Sequence, residues 1–336
     1  MKTRREFIKT ACLGIAAGAA WGSAWGQSVG RAYVSEAAFA DDPSREQLRE
    51  ALDIAVQQAL LARTPESAWR SLVEPHDVVA VKICADAPLI STTHRLLDEI
   101  VLRMISVDVL PENILIWDKR SDDLYRYDYA PPDAGERRPQ ILASEGVEGT
   151  IRRVGYDEAV YIEDEEDLAA RRSEDGAFSF FSRIVTQLAT KIISVPTLRY
   201  HPITGIYGGM ASLALGSLSN TFRFHPTGSE GIPVIADAWR NTPLSEKHAL
   251  TIIDGLVGAY HTGPGYAPEW FWDARRLFVS EDPVALDSIL VGVVNEMRKS
   301  PLRPVYREAD YLRQAASVEI GINDTNDIVH EKNEIP

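Results

Sequence analysis

Two cysteines in 336 residues is very few, and their positions matter more than their number. Cys12 falls in the first twenty-six residues and Cys84 stands alone in the remainder. An intramolecular disulfide and a four-cysteine iron-sulfur site are therefore excluded once the leader is gone. Basic residues are also short: Lys plus Arg is 35 against 49 Asp plus Glu, a formal charge of −14. Phosphate attraction needs the opposite sign, so a backbone-driven nucleic-acid partner is excluded, and an anionic membrane surface is a poor one. No apolar run reaches the roughly 20 residues that cross a bilayer, which argues against a stable membrane span. Walker, G-x-G-x-x-G, G-x-S-x-G, H-E-x-x-H and C-x-x-C motifs are absent, leaving nucleotide, hydrolase-triad and zincin readings without support.

What is present begins with an address. Lys2, Arg4, Arg5 and Lys9 precede a Gly- and Ala-rich apolar run over residues 11–25, the pattern of a signal peptide. Within it, TRREFIKT resembles the twin-arginine export signal, with paired arginines, Phe7, an aliphatic residue and Lys9. The resemblance implies a twin-arginine translocase as partner during export and a periplasmic or otherwise exported location. Cleavage after Gly26 fits the small residues Ala24 and Gly26; cleavage after Ala40 is a second expectation. Residues 1–26 are thus a leader, 43–320 a single domain, and 321–336 a C-terminal tail.

Apolar residues recur at helical spacing over 43–62, with Asp42 as the expected N-cap. A β-branched run at 77–83, a helix at 93–107 and a strand at 113–117 follow, an order that implies a right-handed crossover and parallel pairing. Residues 119–175 read as an irregular acidic excursion. Beyond it come a helix near 178–188, strands at 191–196, 249–254 and 276–280, and helices at 283–297 and 307–316. This predicts an α/β fold, a mostly parallel sheet flanked by helices, with a division into two lobes left open.

The strand candidates end in polar residues: Lys82 in the first, Asp118 after the second, Arg199 and His201 after the third, Asp254 after the fourth, and Glu281 and Asp282 after the fifth. Carboxyl ends of a parallel sheet share one edge, where ligands bind. Lys82 in an apolar strand calls for a carboxylate or ligand beside it. Lys82, Asp118, His201 and Asp254 are therefore the candidate catalytic residues, and Arg199, Cys84 and Lys119 the candidate ligand-binding ones. A divalent metal held by Asp118, His201, Asp254 and Asp282 is the further reading, with His94, His225 and His261 as additional candidates. Asp282 before Pro283 is equally a helix cap, and Asp287 an exposed helix residue. Glycines at Gly208-Gly209 and Gly263-Pro264-Gly265 could turn N–H groups toward an anion, with ordinary turns as the alternative.

Five stretches, VAVKICADAPLISTTHRLLDEIV, ILIWDKRSDDL, IISVPTLRYHPITGI, LTIIDGLVGAYHTGPGY and FVSEDPVALDSI, together resemble the family catalogued as domain of unknown function 362. The resemblance implies an α/β domain, commonly exported, with undefined activity. The family commonly shows Lys-x-Asn at the first strand, where this chain keeps Lys82 but has Cys84. It commonly shows Lys-x-His after the third strand, where Arg199 replaces the lysine and His201 remains. A later Lys-Asn pair falls near Ala211 and Ser212. A guanidinium holds anions but does not release its proton, so a small anionic ligand fits this chain better than proton transfer at Arg199. The alternative is a non-catalytic periplasmic binding or accessory protein that has lost part of the family site and docks a partner through the acidic residues 163–174.

Overall fold

The computed structural model describes residues 30–87, 89–131, 137–163, 178–221, 235–261, 267–299, 302–306 and 308–336. The expected export signal, His225, the expected Gly263-Pro264-Gly265 turn and nearly all of the acidic run 163–174 lie outside these residues. In chain order the elements are β1 (Ala32–Phe39), α1 (Arg45–Ala59), α2 (Pro65–Leu72), β2 (Val79–Ile83), α3 (His94–Ser106), β3 (Ile114–Arg120), α4 (Ser121–Tyr127), β4 (Gln140–Glu145), β5 (Arg152–Arg153), β6 (Tyr156–Glu163), β7 (Phe178–Ser182), β8 (Lys191–Val195), β9 (Thr197–His201) and β10 (Gly205–Ile206). They continue with α5 (Gly209–Ser217), α6 (Ile235–Trp239), α7 (Pro243–Lys247), β11 (His248–Ala259), β12 (Phe271–Trp272), β13 (Arg276–Ser280), α8 (Pro283–Met297), α9 (Tyr311–Ser317) and β14 (Ile328–Ile335).

Local chemistry sets several boundaries. Ser44, not Asp42, opens α1: its hydroxyl accepts from Gln47 N–H while the Gln47 side chain takes Ser44 N–H, a capping box. Thr64 and Ser67 repeat the device at α2, an element the sequence reading omits. The helix expected near 178–188 is instead β7 followed by a single wide turn, Ile184–Leu188. Alternation in FSFFS lets β7 pair with β6, with the Phe178 and Phe180 rings stacked at 5.9 Å.

The main sheet runs β14-β1-β13-β11-β8-β2-β3-β4-β5. Every pairing from β11 to β5 is parallel. β13 is antiparallel to both β11 and β1, and β14 is parallel to β1, so along this path β13 alone runs against the rest. The fold is thus α/β, a mostly parallel sheet flanked by helices. Because side chains alternate, β2 sends Val79 and Val81 to one face and Ala80 to the other. One core joins the first face to α1, α2 and α3 through Leu48, Leu52, Trp69, Leu96 and Ile100. The second joins the opposite face to α5, α6, α8 and α9 through Leu213, Trp239, Leu290 and Tyr311.

Two regions read from sequence as outside the regular fold belong to the sheet. The excursion at 119–175 contains β4, which extends the parallel sheet from β3. The expected tail at 321–336 contains β14, paired to β1 along its whole length with Ile328 and Ile335 buried. An edge strand meets solvent on one side, and the charges of IVHEKNEI, which obscure it in the sequence, protect that edge.

Candidate functional site

Lys82 sits near the carboxyl end of β2, in register with Trp117 of β3 and Ser194 of β8; Ser194 in turn faces Thr251 of β11. Helix α5 lies directly over this row. A Cβ on Gly216 would fall 2.3 Å from Lys82 Cε, and one on Gly209 would fall 3.0 Å from Thr251, so the two glycines permit the close approach. The amino end of α5 is held from α8, where Asp287 accepts from Gly209 N–H at 2.7 Å and Met210 N–H at 3.1 Å. The anion at the Gly208-Gly209 turn is thus the chain's own carboxylate. Asp287, expected to be exposed, is fully buried, and that burial raises its pKa to about 7 against those hydrogen bonds.

Lys82 is 1% exposed and meets Asp118 at 2.7 Å, also donating to the Ile83 carbonyl at 2.5 Å. Burial alone would lower its pKa, but the Asp118 carboxylate outweighs it and raises it above the ordinary lysine value. Asp118 further accepts from Ala85 N–H and Lys119 N–H, both at 2.7 Å. Lys119 turns its ammonium to the Ser219 carbonyl at 3.1 Å, and burial lowers its pKa. Cys84 is buried, with Sγ 3.4 Å from Ser212 Oγ, and burial raises its pKa despite Arg199 and Lys82 nearby. Burial thus favours the thiol over the thiolate.

Arg199, in β9, is 3% exposed and spends one nitrogen on Asp86, with Nη2 at 3.0 and 2.9 Å from its two oxygens. Its central carbon Cζ lies over the Tyr207 ring, 4.2 Å from the centroid. Nε and Nη1 are buried and have no hydrogen-bond partner among the described residues. Burial would raise the Asp86 pKa, but Arg199 overrides it and holds the carboxyl below its ordinary value. Asp86 is the partner that sequence reading missed. It lies two residues past Cys84 in a turn-forming A-D-A-P stretch, and only the charge of Arg199 demanded a carboxylate somewhere.

The remaining candidates separate. Asp254 accepts from Thr93 N–H at 2.7 Å and Leu256 N–H at 3.2 Å, and burial raises its pKa. His201, at the end of β9, points Nδ1 toward Thr204 N–H at 3.2 Å. Asp282 caps α8 through Val284 and Ala285 N–H and also accepts from Ile322 N–H. Since β13 is reversed, Glu281 and Asp282 follow the rung Ser280–Thr251 toward the amino ends of the parallel strands, while Asp254 lies on its carboxyl side. The expected shared edge therefore holds for Lys82, Asp118, Arg199 and Asp254 but not for Asp282. His94 faces Tyr127, and His261 packs on Trp270. Among the described residues, no three His, Cys, Asp or Glu side chains assemble as a metal-holding group.

These features define an α/β domain whose polar cluster, one buried and one half-buried ion pair around a cysteine, stands at the carboxyl edge of a mostly parallel sheet. The chain belongs to the family described as domain of unknown function (DUF362), whose model matches residues 80–292. That span runs from β2 into α8, taking in Lys82, Asp118, Arg199 and Asp254 and leaving out β1 and β14. No curated protein matches the chain. Among the described residues, no helix is long and apolar enough to cross a membrane.

Proposed function

We propose that this chain is an exported protein that binds a small anion at the carboxyl edge of its sheet, with Arg199 as the recognising residue. The carrying observation is a guanidinium 3% exposed whose Nε and Nη1 have no partner among the described residues. A buried donor left unpaired costs about 1–3 kcal/mol, more when charged, and oxygens of a ligand would recover that cost. Tyr207 packs against the guanidinium, and Lys82 with Asp118 holds the adjoining strand end.

Binding without turnover, as in an accessory protein, suits the donor set better than acid-base catalysis. Arg199 keeps its proton. The oxygens of Asp118 and Asp254 already accept from N–H groups. A divalent metal is not part of this reading, because Asp118, Asp254 and Asp282 each serve backbone donors and Asp282 lies away from the other two.

Calorimetric titration of the purified chain with acetate and methanesulfonate tests the proposal. Saturable binding that disappears in Arg199→Gln is expected, with the variant still folded by circular dichroism at the temperature of the titration. Undiminished binding in Arg199→Gln, or no binding by the unaltered chain, would overturn it.

A further inference from the structure

The charges around Arg199 speak to which anion it takes. Cys84 lies among four side chains of formal charge, Arg199 and Lys82 against Asp86 and Asp118, and these formal charges sum to zero. Each cation is already matched, Lys82 by Asp118 at 2.7 Å and Arg199 by Asp86 at 2.9 Å. The two carboxylates differ in setting. Asp118 is sealed by three donors, whereas the Asp86 side chain is 32% exposed beside a guanidinium that is 3% exposed. Asp86 thus stands at the solvent side of Arg199. Its loop packs apart from both main cores: Ala87 and Ile90 form a small apolar cluster with Ala259, and Leu89 between them is 62% exposed with φ of 72°.

Nη2, which Asp86 occupies, borders both the Nε edge and the Nη1 edge of the guanidinium, so a ligand oxygen accepting at either edge comes close to the Asp86 oxygens. It gains a charge-assisted donor but meets no uncompensated positive charge. One negative charge on the ligand is tolerated because the donors are charge-assisted. A second negative charge faces Asp86 with nothing to balance it, in a chain whose formal charge is already −14.

We propose that Asp86 is a specificity-determining residue that restricts the Arg199 site to monoanions, of the carboxylate or sulfonate class, and rejects dianions such as sulfate or a phosphate monoester. This rests on the anion-binding reading above. Selection here works through a repulsive element placed beside an attractive one.

Methanesulfonate and sulfate test it, because they share a tetrahedral anionic head and differ in charge. Both are titrated calorimetrically at pH 7 and matched ionic strength into the unaltered chain, Asp86→Asn and Arg199→Gln. The unaltered chain should bind methanesulfonate more tightly than sulfate. Asp86→Asn keeps an oxygen for Nη2 but removes the charge, and should shift the ratio toward sulfate by about tenfold or more. Arg199→Gln should lose both. Asp86→Ser provides a second variant should the asparagine form fold poorly. Sulfate bound as tightly as methanesulfonate by the unaltered chain, or a ratio unmoved in both Asp86 variants, would overturn the assignment while leaving the anion site standing. Absence of any binding in the unaltered chain and in Asp86→Asn would instead remove the underlying reading.

Discussion

Lys82 and Asp287 show how single residues carry the polar economy of this fold. Lys82 depends on Asp118, which in turn holds Ala85 N–H and Lys119 N–H, so removing either partner leaves a buried charge short of its match. Breaking one side of a buried pair costs about 3–5 kcal/mol. Lys82→Met should fall near the lower end, because Asp118 keeps two backbone donors. Asp118→Ala should cost more, because it strips those donors of their acceptor as well. Urea unfolding of the two variants would show this order, and equal losses would contradict it. Asp287 makes a prediction about pH. Its folded pKa, raised to about 7 by burial, lies above the unfolded carboxyl value, so the folded state holds the proton through that interval. The stability contributed by this proton is complete below about pH 4 and is lost as pH rises toward 7. Asp282, raised to about 6, adds to the same slope. Asp287→Asn should therefore flatten, without abolishing, the decline of melting temperature between pH 4 and 7. A decline as steep as in the unaltered chain would show that Asp287 does not titrate there.

At the scale of elements, α5 decides whether the strand edge is a sealed site. Its packing on the sheet requires no side chain at Gly216, where a methyl would come 2.3 Å from Lys82 Cε. Gly216→Ala should push Lys82 away from Asp118 or lift α5, costing about 1–3 kcal/mol as an overpacked core does. The same change at Gly292, where no described residue outside its own helical turn lies within 4 Å of the added methyl, should cost nothing and is the control for chemical denaturation. The buried parallel strands were legible in the sequence because continuous apolar runs such as VAVKI and ILIW have few alternatives. Asp282 at the head of α8 was legible as a cap because Pro283 follows it. The reversal of β13 was not legible, since a strand's direction relative to its neighbours is set by tertiary contacts that leave no mark in RLFVS. That reversal is what removes Asp282 from the expected constellation. The Arg199–Asp86 pair was hidden for a related reason: its members are 113 residues apart, and only the sheet brings them together.

For the whole molecule, the decisive feature is that the two ends of the described chain lie side by side. β1 is inserted between β13 and β14, with Val34 and Ala37 buried, so β14 joins the sheet only through β1. Glu36 on β1 reinforces this, meeting His330 of β14 at 2.8 Å and Arg276 of β13 at 3.4 Å. Cleavage after Ala40 would remove β1 entirely and expose the edges of β13 and β14. Cleavage after Gly26 would leave β1 intact, with five residues before Ala32. If TRREFIKT directs export of an already folded chain, only the earlier site is compatible with the fold delivered. Expression in a host with a twin-arginine translocase should give an exported protein whose first residue by N-terminal sequencing is Gln27. Replacing both Arg4 and Arg5 by Lys should retain the chain, leader attached, in the cytoplasm. An exported product beginning at Asp41 would mean that β1 is dispensable, and export unaffected by the double replacement would mean that the paired arginines are not the signal.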